Sequence, residues 1–379
     1  MNRLVYSALA IFCFAIVSCT DVASISDYDQ DHIVLNVFNS PMTKAEGNSS
    51  TDYERQLNRL DCFFYVKDQT DQPCVYYHKA DVNELGSATI SFIVNDLVLK
   101  EIFPSGSLCD VLVIANLPGN HTFEANSPET TMPRLGEFVL DMTNSEYDGV
   151  GKPFVMTGFS RVQKGNNSNA SANISLVRVA SKVTVTVKVP KEIEIKVGEE
   201  NITMVPILVD SEGNEPLKTS FRYGTNKSYL SGAYPDSSSN YIHTEKIPYT
   251  LSEERTTESH YVFTCDMPFY TYARSWEKGA DNAAYVTFEM PWAVKSNEDN
   301  TESTNSYQTY YYQILINGKE RNFTPNTYYD LIVTVGVLGS TIEALPETLD
   351  ELSYYVLDWT SENTNGEIES GDRDEDVEI

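Results

Sequence analysis

The chain has 379 residues, with 55 acidic side chains against 27 basic ones and a formal charge of −28. So acidic a balance excludes nucleic-acid binding through Lys/Arg–phosphate contacts, and electrostatic adherence to an anionic membrane face. The length exceeds the roughly 250–300 residues at which a single core stops growing, so two domains are expected.

Tyr (24) outnumbers Phe (16), and Thr, Ser and Asn are plentiful, a mixture that favours half-exposed strands over helical bundles. Residues 1–18 read as a signal peptide. Arg3 supplies the positive start, and Ala8 to Val17 form an apolar stretch shorter than the ~20 residues of a membrane span. The stretch ends Ile16-Val17-Ser18-Cys19, which reads as a bacterial lipobox, with the Cys19 thiol as the acceptor of diacylglycerol. An ordinary secretory signal is the other reading. Ile33–Phe38 is a first strand, followed by a polar gap from Asn39 to Ser50. Thr51 and Glu54 have the spacing of a capping box, and Tyr53, Leu57 and Leu60 share one helical face. That helix is expected to run into a strand at Cys62–Val66.

Further strands are expected at Val75–His78, Thr89–Val94, Val111–Ala115 and Glu137–Leu140. The Val111–Ala115 run is apolar on both faces, as in a central strand. Cys62 and Cys74 flank a turn and could bridge; Cys109 reads as a small buried hydrophobe. The polar run Asn166–Asn173 places a domain boundary near residue 172. Ser181–Val189 then alternates Val183, Val185, Val187 and Val189 against Thr184, Thr186 and Lys188, the period of a strand with one face in a core. Val205–Val209 and Leu217–Phe221 flank a turn, and 231–260 and 295–306 read as loops or irregular hairpins. Tyr285–Met290, Tyr307–Ile316, Tyr328–Val337 and Tyr354–Trp359 are late strands. The last 18 residues, from Glu362, hold eight acids and one Arg and read as a disordered tail.

The expected fold is therefore all-β: two Greek-key, transthyretin-like β-sandwich domains in tandem with one or a few short helices. The divisions are a signal peptide at 1–18, a first domain at 19–172, a second at 173–360 and an acidic tail at 361–379.

Little in the chain points to chemistry. His32, His78, His121, His243 and His260 have no metal-ligand spacing, and HExxH, CxxC, P-loop, GxGxxG and GxSxG patterns are absent. No catalytic residue, metal site or cofactor is expected. Trp276, Trp292 and Tyr310-Tyr311-Tyr312 either stack on sugar rings or pack within the fold.

Three segments carry a resemblance. Ile33–Phe38, Thr43-Lys44-Ala45 and Cys62–Val66 resemble a first strand, processing site and second strand. Leu176-Val177-Arg178-Val179-Ala180-Ser181-Lys182-Val183 resembles an Arg-x-x-Ala-(x)-Lys-Val opening of a second domain. Asn322 to Leu331 resembles an Arg-Asn-x-x-Tyr-x-Leu stretch before a late strand. With the lipobox, these segments resemble the fimbrillin family, the pilins of type V fimbriae in Gram-negative oral and gut anaerobes.

The resemblance implies a precursor lipoprotein of the outer membrane whose first strand fills a groove and leaves after proteolysis in the following loop. A neighbouring subunit's C-terminal strand then takes its place. On this chain the plug residues are Ile33, Leu35 and Val37, with strand 32–40 as the removable piece. The candidate cleavage site is Lys44–Ala45, and the candidate donor strand holds Tyr355, Val356, Leu357 and Trp359. The family's cut follows Arg, whereas this chain has Lys44, and the next Arg is Arg55. The implied partners are other fimbrial subunits, the outer membrane through Cys19 and a host or glycan ligand, with no nucleic acid. The alternative reading is a non-polymerising surface lipoprotein, either a fimbrial anchor or an adhesin for glycan or host protein; a secreted hydrolase is a weaker third.

Overall fold

The computed structural model describes residues 32–39, 52–93, 102, 108–142, 153–164, 170–208, 217–295 (except 236, 245, 266 and 279), 307–316 and 321–342, together with the backbone of 351–358. The first half contains β1 (His32–Asn39), α1 (Asp52–Arg55), β2 (Gln56–Val66), β3 (Tyr76–Leu85), β4 (Ser87–Ile93), β5 (Leu108–Ala115), α2 (Met132–Gly136), β6 (Val139–Asp141), β7 (Met156–Lys164) and β8 (Ala170–Arg178). Seven of these strands form one sheet in the order β3-β2-β5-β7-β8-β1-β4.

The second half begins with β9 (Ala180–Pro190), β10 (Ile193–Val197), β11 (Glu200–Pro206), β12 (Lys218–Thr225), β13 (Lys227–Tyr229), β14 (Gly232–Ala233), β15 (Tyr241–His243) and β16 (Ile247–Leu251). It continues with β17 (His260–Cys265), β18 (Phe269–Tyr272), β19 (Arg274–Ser275), β20 (Tyr285–Val294), β21 (Gln308–Leu315), β22 (Asn322–Phe323), β23 (Thr327–Thr334) and β24 (Glu351–Asp358). Its main path runs β10-β11-β20-β12-β16-β17-β9-β23-β24. The alternation read in β9 is realised, with Val183, Val185, Val187 and Val189 all within the second core.

The chain is nearly all β, but the expected helix is cut short. α1 is one turn, and Gln56 onward pairs with β3 and β5. A single turn is marginal in isolation, so strand pairing takes over the residues that follow. Leu57 and Leu60, three residues apart, would fall on opposite faces of a regular strand. A β-bulge between Leu57 and Arg59 restores them to one face, and both are fully buried in the first core. The same i, i+3 spacing suggested a helix.

The passage between sheets also differs from expectation. Asn173 to Arg178 belong to β8, in the first sheet, so the chain changes sheet at Val179 and not near 172. The 231–260 stretch, expected as loops or irregular hairpins, supplies β14, β15 and β16, which pair with β13, β12 and β17.

Three apolar clusters hold the molecule together. One fills the first domain, one the second, and a third lies between them. β5 explains the third: Val111 and Val113 belong to the first core, while Leu112 and Ile114 belong to the junction cluster that also holds Tyr270, Tyr272 and Tyr328 of the second domain. Its apolar character on both faces thus reflects one face in a core and one in a domain junction. A small sheet, β14-β13-β6, also joins the halves.

None of the four cysteines among the described residues forms a disulfide. Cys62 lies in the first core and Cys74 in the junction cluster, so they face different interiors and do not bridge the turn. Burial raises the thiol pKa of Cys62, Cys74 and Cys109. Alkylation of the native protein is therefore expected to label Cys265 well before these three, and all four equally fast only after unfolding. Peptide mapping of an iodoacetamide time course checks this, and early labelling of Cys62 would contradict it.

Candidate functional site

β1 lies inside its sheet, not at an edge. It runs antiparallel to β4 and parallel to β8. Period-two alternation aims Ile33, Leu35 and Val37 inward, at 0%, 0% and 1% exposure. Each is flanked on both sides: Ile33 by Phe92 and Ala170, Leu35 by Ile90 and Ala172, Val37 by Ala88 and Ile174. Full burial of three such side chains is worth about 5–9 kcal/mol in sum. Loss of the strand without a replacement would also leave β4 and β8 with unpaired backbone edges.

Polar contacts set the register of β1. On its outer face Asn36 Nδ2 donates to Asn173 Oδ1 (3.0 Å), and Thr89 Oγ1 donates to Asn36 Oδ1 (3.0 Å), a ladder across three strands. At its end Asn39 N donates to Gly86 O (2.8 Å) and Asn39 Nδ2 to Arg55 O (3.1 Å). Gly86 N donates to the same Arg55 carbonyl (2.9 Å). Gly86 forms the corner between β3 and β4 with φ of +81°, and a Cβ there would crowd the Arg55 guanidinium at 3.2 Å. The exit of β1 is therefore clamped to the corner that closes the sheet and to the end of α1.

A second constellation lies next to that clamp, and reading the sequence did not assemble it. Glu54, fully buried on α1, receives Lys182 Nζ at 2.9 Å and the Tyr270 hydroxyl at 2.5 Å on Oε1. Its backbone carbonyl receives Arg178 Nε and Nη2 at 3.0 and 2.8 Å. Arg178 N and Nη1 also donate to Asn326 Oδ1. The Lys182 ammonium lies 5.4 Å from the Tyr328 ring centre. Burial lowers the Arg178 pKa to about 10, against an opposing effect from Glu54, so the guanidinium stays charged at neutral pH. Burial and the neighbouring Glu54 carboxylate raise the Tyr270 pKa, keeping its phenol a donor.

The two segments singled out by resemblance in the second domain therefore meet here. Arg178 and Lys182 come from the first, and Asn326 and Tyr328 from the second. Glu54 had been read only as a capping residue; its burial beside two cations is set by the packing of the domains.

The remaining candidates divide. Cys19, Lys44, Ala45 and Trp359 lie outside the described residues. Tyr355, Val356 and Leu357 lie in β24, which pairs along its length with β23 at the sheet's edge. Trp292 is fully buried in the second core and Tyr312 stacks on Phe288 at 4.6 Å, so neither offers a sugar platform. Trp276 is half-buried against Phe323. His260 meets a serine hydroxyl, but its partner is the adjacent Ser259 and the pair is exposed.

No family model matches the chain. A search of curated proteins finds the major fimbrium tip subunit FimD of Porphyromonas gingivalis, 27% identical over 259 residues, covering 66% of this chain and 33% of that one. The matched region is thus about a third of the curated relative's length. Among solved structures, a fimbrilin (FimA) from Porphyromonas gingivalis superposes with a TM-score of 0.56 at 13% identity, covering 89% of this chain and 100% of that one. The fold is the fimbrilin fold. Both comparisons return fimbrial subunits, not enzymes, in agreement with the family that the sequence segments resemble.

Proposed function

We propose that the chain is a structural subunit of bacterial surface fimbriae, exported as a lipoprotein through Cys19 and assembled by strand exchange in support of adhesion. The observation that carries this reading is the place of β1. It is an inner strand whose Ile33, Leu35 and Val37 fill a core, and it is followed directly by the segment that holds Lys44. Cleavage at Lys44–Ala45 would sever β1 from the domain while leaving α1 and the Glu54 network attached to β2. The freed groove would offer two backbone edges and three apolar sockets, which a strand from another subunit can fill by β-augmentation. Head-to-tail filling of this kind does not close on itself and propagates a filament.

The likeness to a fimbrial tip subunit supports a place in a fimbrium and favours its distal end. A terminal subunit needs the groove but no donor, and in this chain β24 pairs with its own β23. Intact-mass and N-terminal peptide analysis of purified surface filaments tests the reading. The expected mature chain starts near Ala45 and lacks residues 32–40. Chains found only as uncut, Cys19-lipidated monomers, forming no heat-stable ladder with any other subunit, would overturn it.

A further inference from the structure

The outer face of the second domain carries an aromatic platform that its core does not require. On β12, Phe221 points into the core, and Arg222 pairs with Tyr285 on the opposite face. Regular alternation would turn Tyr223 inward. Instead the register against β15 shifts between Arg222 and Gly224, and Tyr223 takes φ of +59°. A bulged tyrosine in the left-handed region persists only where its surroundings fix it. Arg274 Nη1 does so, donating to Tyr223 O and to Asn282 O (2.5 and 2.8 Å). The next position must be glycine, since a Cβ at Gly224 would meet the Phe221 ring at 2.4 Å.

The bulge brings the Tyr223 ring among Tyr241 (5.4 Å, 78°), His243 (5.0 Å, 83°) and Tyr285 (5.8 Å, 57°). His243 is exposed, and the three tyrosines are partly so. The platform is held rigid from behind. The Arg274 guanidinium lies 4.6 Å from the Tyr241 ring centre, and Asn282 Nδ2 donates to the Tyr241 hydroxyl at 2.6 Å.

We propose that this platform binds a neutral saccharide. Ring faces match the C–H faces of sugars, and the Tyr223 phenol and the exposed His243 imidazole both donate and accept, as sugar hydroxyls do. Partial desolvation against the neighbouring rings and the nearby Arg222 charge lower the His243 pKa, which favours the uncharged imidazole at neutral pH. Arg222 and Arg274 lie beside the platform, but at longer range the net charge of −28 disfavours the approach of sulfated, sialylated and phosphorylated polymers and so favours an uncharged ligand. The proposal is independent of strand exchange, since a chain that never polymerised would still present the platform.

The test is binding of the purified full chain to immobilised oligosaccharides ending in glucose, galactose, mannose or N-acetylhexosamine, beside their sialylated and sulfated forms. The expected result is capture of at least one neutral glycan, with affinity lowered at least tenfold in Tyr223→Gly and in Tyr285→Ala. Tyr223→Gly should keep or raise the thermal midpoint, because glycine accepts the +59° backbone without strain. That outcome separates binding from folding and still decides the matter if Tyr285→Ala unfolds. Binding to anionic glycans alone, to no glycan, or with unchanged affinity in Tyr223→Gly would overturn the proposal. Incorporation of the same variants into filaments is scored separately and speaks only to assembly.

Discussion

Replacing Glu54 with alanine is expected to destabilise the protein by about 3–5 kcal/mol, the usual cost of removing one partner from a buried ion pair. The reason is what remains behind. Lys182, with 6% of its side chain exposed, would lose its carboxylate at 2.9 Å, and Arg178 is fully buried nearby. The Tyr270 hydroxyl would lose its acceptor as well. For domains of this size the midpoint should fall by roughly 6–20 °C. The double variant Glu54→Leu/Lys182→Met removes the carboxylate and its ammonium partner and should recover part of the loss, since the buried Arg178 guanidinium keeps its hydrogen bonds to the residue-54 backbone carbonyl but not the carboxylate charge. Differential scanning calorimetry of the three proteins decides it. A Glu54→Ala midpoint within 2 °C of the parent, on the order of 1 kcal/mol or less, would mean that the network contributes little. Because Glu54, Arg178 and Lys182 come from α1, β8 and β9, the loss should weaken both domains in a single transition.

Leu35→Ala should cost about 2–5 kcal/mol through lost burial and the cavity left behind. Val34→Ala, one residue away on the half-buried outer face, should cost less than about 1 kcal/mol. The contrast follows from the alternation of β1, with Leu35 at 0% exposure between Ile90 and Ala172. Urea denaturation gives both values, and hydrogen exchange should show faster opening at His32–Asn39 in Leu35→Ala. Equal costs for the two substitutions would mean that β1 is not seated as a core strand. The same pair bears on assembly: if a donor replaces β1, Leu35→Ala chains should exchange faster than Val34→Ala chains once cut.

Strands were legible in the sequence wherever one face meets a core, because alternation at period two is a local property. β1, β9 and β23 are examples, and β9 shows its four valines buried in register. The pattern misled where spacing was ambiguous. Leu57 and Leu60 at i, i+3 fit a helical face equally well, and only the pairing of β2 with β3 selected a bulged strand. Residues 231–260 carry no clean period because β14, β15 and β16 are only two, three and five residues long, too short to display an alternation.

The candidate site divides the same way. The inward placement of Ile33, Leu35 and Val37 was readable, since each is defined by its neighbours along one strand. Glu54 was not, because a buried carboxylate is recognised by what surrounds it, and its partners lie more than 120 residues away. Tyr223 was not, because its exposure depends on a bulge held by Arg274, 51 residues further on.

By itself, then, the sequence determined the all-β class, the first strand and its inward residues Ile33, Leu35 and Val37, and the segments that resemble fimbrial subunits. Those features rest on local periodicity and short motifs. Only the tertiary structure decided that β1 is an inner strand, that the two motif segments converge on one buried carboxylate, and that Trp292 is core while Tyr223 is surface. Those outcomes depend on which strands become neighbours, and strand pairing joins residues far apart in the chain.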